Sequence, residues 1–356
     1  MGRRVQRSRR FREDEVLPES LPVRESIQSV NPQEKTGQDV VNPLMISHKP
    51  ILVTGSHRSG TTWVGRMLAE APSLLYIHEP FSVTDAPSRG TCNTEFRHWF
   101  TYVNQENEGI FYRAFRNTID LKYDLVGGIR TYRTVQGLRE LQREYVSFLK
   151  HRRAGHKALI KDPMAFFSAE WLAQRFDMNV VMVIRHPAAF VSSIKKLGWQ
   201  HPFSHFLEQP ALMRDHLDCF AEEIREYAAH EHDLIDQAIL LWRLIHFTMI
   251  HYRQAHPDWV FVRHEDLSLA PLEQFQRLYS CLGLEYTEHA QQVIKSFSSS
   301  ANPSETDAPV GSEEILKRNS ASNIWNWKTR LTTSEIEKIR RGVQDISNLF
   351  YSAEEW

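Results

Sequence analysis

Gly55-Ser-His-Arg-Ser-Gly60-Thr61-Thr62 lies between a short apolar run, Pro50 to Gly55, and a stretch with Trp63, Val64, Met67, Leu68 and Ala71 on one helical face. A glycine-containing turn between a strand and a helix aims consecutive backbone N–H groups at one point, and the helix dipole adds positive potential there. Such a turn binds phosphate or sulfate. The glycine spacing is that of a nucleoside-triphosphate loop, but Thr61 stands where that loop carries its lysine. A kinase or NTPase would lose its β/γ-phosphate cation. Arg58, inside the loop, supplies positive charge instead. An ordinary strand-to-helix turn is the alternative, and the paired threonines in this context argue against it.

Three further groups could do chemistry. Val183-Ile-Arg185-His-Pro-Ala-Ala-Phe-Val-Ser-Ser193 leaves the most apolar run of the chain and enters a helix. Arg185 there offers a bidentate fork for a phosphate, and Ser193 a hydroxyl two helical turns on, with Ser192 its competitor. Lys161-Asp-Pro163 ends another apolar run. Tyr76-Ile-His78-Glu79-Pro-Phe81 puts a carboxylate at the carboxyl end of a strand, beside the crevice where open α/β sheets bind ligands. On a strand, His78 should point to the face opposite Glu79. Other chemistries lack their residues. No H-E-x-x-H occurs, His201 and His205 have no evident third ligand, and there is no G-x-S-x-G elbow. No metal is required if cationic side chains neutralise the ligand.

These residues need strands that end together. The pattern gives strands at 50–55, 74–77, 157–161, 179–185 and 259–262, with helices at 136–152, 165–175, 187–197, 211–229, 235–255, 271–282 and 334–349. Strands alternating with helices imply an α/β fold, a central parallel sheet with helices on both faces. Residues 296–323 read as a long loop. Residues 82–135 carry Phe96, Trp99, Phe100, Tyr102, Phe111, Tyr112 and Phe115, and by position and aromatic content form a lid or acceptor wall.

Composition bounds the rest. With 356 residues, 41% of them hydrophobic, the chain can build an ordinary core; 43 basic against 44 acidic side chains argue against a DNA-coating protein. Cys92, Cys219 and Cys281 are too few and too scattered for a disulfide framework, which suggests a reducing compartment. No apolar stretch is long enough to span a bilayer. Residues 1–46 lack periodicity and read as a disordered tail, basic at its start through Arg3, Arg4, Arg7, Arg9, Arg10 and Arg12, with residues 47–356 as one folded domain. The arginines fit a solvated tail better than an anion-binding arm. No apolar segment follows them, so no secretory signal is expected. Gln6 breaks the myristoylation pattern.

Arg58-Ser-Gly-Thr-Thr-Trp63 resembles the 5′-phosphosulfate loop of sulfotransferases that use 3′-phosphoadenylyl sulfate (PAPS), which carry Lys or Arg before Ser-Gly-Thr-Thr. The Arg185 and Ser193 pair is similar to that family's 3′-phosphate site. The resemblance covers about residues 50–345 and implies a P-loop NTPase-like sulfotransferase fold. By it, Arg58, Ser59, Gly60, Thr61 and Thr62 hold the 5′-phosphate, and Trp63 either stacks on adenine or packs in the core. Lys161 resembles the lysine that reaches the transferred sulfonate. Arg318, in Lys317-Arg-Asn-Ser320, is either a 3′-phosphate ligand or a loop cation, and it lies with Trp325-Asn-Trp327-Lys328 where the family closes a cofactor-covering loop. Val262-Arg-His-Glu-Asp-Leu267 resembles a Tyr-Glu-Asp-Leu segment, in which Glu265 and Asp266 have a structural role such as capping the next helix.

The cytosolic branch places its catalytic histidine two residues after the lysine, but Pro163 stands there. Glu79 resembles the Glu-Pro of the carbohydrate and tyrosylprotein branches, where a glutamate is the base, with His78 as its rival. The resemblance therefore implies a cytoplasmic enzyme moving the sulfonate of PAPS to a hydroxyl or amine. Its acceptor is a hydroxyl-bearing carbohydrate, lipid or small molecule, with no specific nucleic-acid partner and no transmembrane segment. A P-loop kinase and a non-catalytic nucleotide binder are the alternatives.

Overall fold

The computed structural model describes residues 49–84, 87–304 and 316–356. The basic tail expected at 1–46 lies outside them. Five strands form one parallel sheet: β1 (Ile51–Gly55), β2 (Leu74–His78), β3 (Lys157–Lys161), β4 (Asn179–Ile184) and β5 (Val260–Arg263). Their order is β2-β3-β1-β4-β5. The three central strands are apolar almost throughout because helices cover both of their faces.

The helices framing the sheet are α1 (Thr61–Leu68), α2 (Val135–Arg153), α3 (Ala169–Phe176), α4 (Pro187–Leu197), α5 (Leu234–Ala255), α6 (His264–Leu269), α7 (Pro271–Cys281), α8 (Glu288–Ser298) and α9 (Thr333–Ser347). Strand alternation sorts the side chains into two cores. Leu52, Ile160, Val180 and Met182 face one way, against Phe148 of α2, Leu172 of α3, Phe190 of α4, Trp242 of α5 and Val343 of α9. Ile51, Val53, Leu159, Val181 and Val183 face the other, against Val64 of α1, Leu267 of α6, Phe275 of α7 and Ile294 of α8.

The helix after β1 thus lies on one face of the sheet and the helix after β3 on the other. Because β1 and β3 are neighbours, the chain diverges between them. In open α/β sheets that divergence opens a crevice at the carboxyl ends of the strands. The phosphate loop, Glu79, Lys161 and Arg185 lie at that end, at or just after the ends of β1, β2, β3 and β4.

Two expectations are corrected. The helix expected at 211–229 is broken into Pro210–Leu212, a π turn at Met213–Leu217, a 3-10 turn at Asp218–Phe220 and a helix at Ala221–Ala229. The π turn coincides with tertiary contacts, Arg214 on Glu106 and His216 edge-on to Tyr102 and Tyr252, which override the local pattern. The helix expected from 165 is a 3-10 turn through Ser168 before α3 begins. Helix α8, unassigned from sequence, buries only Ala290 and Ile294, a stripe too thin to read, and starts at a Thr287 cap.

Candidate active site

Gly55 ends β1 with φ 148°, and a Cβ there would lie 2.3 Å from the carbonyl oxygen of Val183, so β1 and β4 can close only over a glycine. The loop then turns through two left-handed residues, Arg58 (φ 64°) and Gly60 (φ 93°). A Cβ on Gly60 would strike the His264 ring at 2.2 Å. Ser59 N–H donates to Ser56 O at 3.1 Å, which closes the turn. Gly60 caps α1 without a side chain, so no side chain competes for the first N–H groups of the helix. The hydroxyls of Ser56 and Ser59 are buried without a hydrogen-bond partner. Thr61 is buried and Thr62 half-buried at the helix start.

Cations gather over this loop. Arg58 Nε donates to Ser193 Oγ at 3.0 Å, joining the loop after β1 to the second turn of α4. Of the two candidate serines it is Ser193 that meets Arg58, while Ser192 is buried with its hydroxyl unpaired. Arg58 is held below the usual guanidinium range, first by burial and then by the charges of Arg185, Arg318 and Arg330. Arg318 therefore lies within electrostatic reach of Arg58, as a ligand role requires. Arg330, at the end of the turn Trp327–Arg330, was not singled out from sequence; no spacing links it to the loop.

Arg185 leaves β4 nearly buried, its Nε 3.5 Å from Glu265 Oε1. Burial pushes its guanidinium down and Glu265 holds it up. Glu265 also accepts from His186 N–H at 3.1 Å and from the Tyr351 hydroxyl at 2.9 Å. The expectation that it caps the next helix is corrected. Glu265 sits within α6, and it instead fixes Arg185 and the N-cap residue of α4, because β5 lies beside β4 and delivers it there. Asp266 pairs with Arg263 at 3.4 Å.

On the other side of the divergence, Lys161 at the end of β3 is fully buried, and its ammonium donates to Glu79 Oε1. Gly65 lets α1 approach this lysine, since a Cβ there would sit 3.0 Å from Lys161 Cβ and Cγ. Burial pushes the ammonium down, against Glu79 and Asp162, which favour its charge. Asp162 is buried and raised to about 8, first by desolvation and then by the charge of Glu79. It accepts from Phe81 N–H at 2.5 Å and Met164 N–H at 2.9 Å, and so ties the segment after β2 to β3.

The opposite-face expectation for His78 is corrected. Glu79 has φ 42°, so strand alternation stops there, and His78 Nε2 lies 3.9 Å from Glu79 Oε1. His78 Nδ1 is 3.3 Å from the Tyr76 hydroxyl. Trp63 is buried in the second core, edge-on to Phe275 with centroids 5.2 Å apart. Within residues 82–135, Phe96, Phe100 and Phe115 are buried in the first core. Trp99 reaches the phosphate loop, edge-on to His57 at 5.9 Å.

Four arginines whose charges act on one another, beside a loop of buried, unpartnered hydroxyls and turned N–H groups, are suited to a ligand with more than one negative charge. Their mutual repulsion favours the binding of such an anion. A nucleotide bearing two separate phosphate groups fits this arrangement. The sulfotransferase family model matches residues 50–288. The chain belongs to the sulfotransferase family.

Solved sulfotransferases resemble it at low identity. The sulfotransferase domain from the curacin biosynthetic pathway is 14% identical, with 83% of this chain and 97% of that domain covered and a TM-score of 0.43. Mouse sulfotransferase SULT7A1 complexed with PAP is 9% identical over 86% of this chain and 87% of that one, with a TM-score of 0.44. Sulfotransferase STF9 from Mycobacterium avium is 14% identical over 86% and 77%, with a TM-score of 0.39. No curated protein sequence matches significantly. Among the described residues, no helix of this sulfotransferase is long and apolar enough to cross a membrane.

Proposed function

We propose that this sulfotransferase takes the sulfonate of PAPS and transfers it in line to an acceptor hydroxyl, releasing PAP. The observation that supports the reading is the phosphate loop with the buried, unpartnered hydroxyls of Ser56 and Ser59 and with Arg58 on Ser193 Oγ, within reach of the charges of Arg185, Arg318 and Arg330. When bound, PAPS supplies a sulfonate on a phosphate leaving group. Arg58, Ser59, Gly60, Thr61 and Thr62 hold the 5′-phosphate; Arg185, Ser193 and Arg318 hold the 3′-phosphate. Lys161 meets the charge that develops between sulfonate and leaving phosphate, where fixed positive charge lowers a barrier most.

Glu79 is the general base. It takes the acceptor's proton while the acceptor oxygen bonds to sulfur and the sulfur–phosphate oxygen bond breaks, leaving the electron pair on PAP. A base placed at that proton contributes roughly 10²–10⁴ in rate. The Lys161 ammonium holds Glu79 in place at the crevice, and His78 lies 3.9 Å from the same carboxylate oxygen. The test is transfer of labelled sulfonate from PAPS, with calorimetry of PAP alongside. Transfer is expected. PAP binding without transfer would favour the non-catalytic binder, and phosphoryl transfer from ATP would favour a kinase.

A further inference from the structure

Beside the phosphate loop, His57 and His201 enclose a cavity of about 10 Å³ together with Trp99, Ile194, Trp199 and Gln237. That is room for about one water molecule. Neither histidine has a role in the transfer described above. His57 is 6% and His201 8% exposed, yet His57 Nδ1 and both ring nitrogens of His201 lack a hydrogen-bond partner. Burial holds His57 down to about 3 and His201 well below its usual range, so both imidazoles are neutral, each with one donor and one acceptor nitrogen. A buried polar atom without a partner is costly, and three around one cavity are not explained by packing. Phenyl rings would fill the same aromatic box without that cost.

The outer wall is Trp199, which is 40% exposed. Its ring lies 28° from parallel to His57 at 6.2 Å and edge-on to Trp99 at 6.4 Å. The guanidinium of Arg58 is 5.6 Å from its centroid. Trp199 therefore borders both the cavity and the cation of the phosphate loop.

We propose that this cavity anchors the acceptor, and that the acceptor is a neutral sugar ring. One hydroxyl replaces the water and bonds to the His57 and His201 nitrogens, the apolar face of the ring rests on Trp199, and a second hydroxyl remains for transfer. This rests on the sulfotransferase reading above. Charge and valence select the class. Arg58, 5.6 Å from the Trp199 ring, repels an amine, and the cavity, lined by neutral groups, offers an anion no counter-charge of its own. A simple alcohol or phenol has one hydroxyl, which cannot be both anchored and transferred.

Methyl glucoside, galactoside and mannoside are assayed against phenol and butanol with labelled PAPS, in wild type, Trp199→Ala and His201→Leu. At least one pyranoside should have a KM about tenfold or more below those of phenol and butanol. Each variant should raise that KM about tenfold, with kcat within about threefold, a loss equivalent to about 1.4 kcal/mol of contact. Trp199 is exposed, so its variant does not depend on the core for folding. Pyranosides no better than phenol, or a KM unmoved by Trp199→Ala, would overturn the inference. Calorimetry of PAP on the wild type separates the two levels: PAP bound without pyranoside turnover rejects the sugar site alone, and no PAP bound rejects the sulfotransferase reading beneath it.

Discussion

The buried ammonium of Lys161 donates to Glu79 Oε1, tying the end of β3 to the residue that follows β2. The pair sets cation and carboxylate side by side at the divergence of the sheet. Lys161 is fully buried and would lose its principal counter-charge with Glu79, while Glu79 is held in position by the Lys161 ammonium.

Glu79→Gln keeps an oxygen for Lys161 but removes the proton acceptor. Turnover with a hydroxyl acceptor should fall by roughly 10²–10⁴, while PAP affinity, read by calorimetry, barely changes. His78→Ala should do far less, because His78 reaches Glu79 only at 3.9 Å and is otherwise exposed. Near-full turnover in Glu79→Gln together with an inactive His78→Ala would make the histidine the base.

Arg185 and Arg58 are assigned to opposite phosphates. PAP should therefore bind much more tightly than AMP, which lacks the 3′-phosphate. Arg185→Ala should erase most of that difference, and Arg58→Ala should mainly depress turnover. Equal affinity of the wild type for PAP and AMP would remove the 3′-phosphate assignment.

Trp63 separates packing from stacking. Its indole is buried against Phe275 and His264, so Trp63→Ala should cost roughly 3–5 kcal/mol of stability in denaturant unfolding. Trp63→Leu fills part of the core and offers no aromatic face, and PAP affinity should stay within about twofold. A tenfold loss of PAP affinity in the leucine variant would give Trp63 the adenine instead.

Acid should unfold the protein early. His57, His186 and His246 are each held down to about 3 from 6.5, in every case first by burial. Their folded values are depressed, so the stability they contribute is complete above pH 6.5 and is lost as pH falls toward 3. In that window the unfolded chain binds protons that the folded chain refuses. Each histidine contributes a slope of about 1.4 kcal/mol per pH unit. Melting midpoints should drop between pH 7 and pH 5, and His246→Phe, at a ring stacked on Trp242, should shrink that drop by the equivalent of about 2 kcal/mol. A midpoint that stays flat over this range would contradict the burial account.

The phosphate loop, the α/β class, the five strands and most of the helices were legible because their signals are local. A glycine pair with threonines, apolar runs of strand length and a proline opening α4 each act within a few residues. Glu79, Lys161, Arg58 and Arg185 were legible for the same reason, since each ends or follows a strand. What the sequence left open depends on which strands are neighbours. The order β2-β3-β1-β4-β5 puts Lys161 against Glu79 and Glu265 against Arg185, pairs separated by long stretches of chain. Local spacing also cannot report a left-handed residue such as Glu79, which turned His78 toward it rather than away. Arg330 and the His57–His201 cavity were equally hidden: an isolated arginine or histidine acquires meaning only from neighbours that folding supplies, and the tertiary structure alone brings those together.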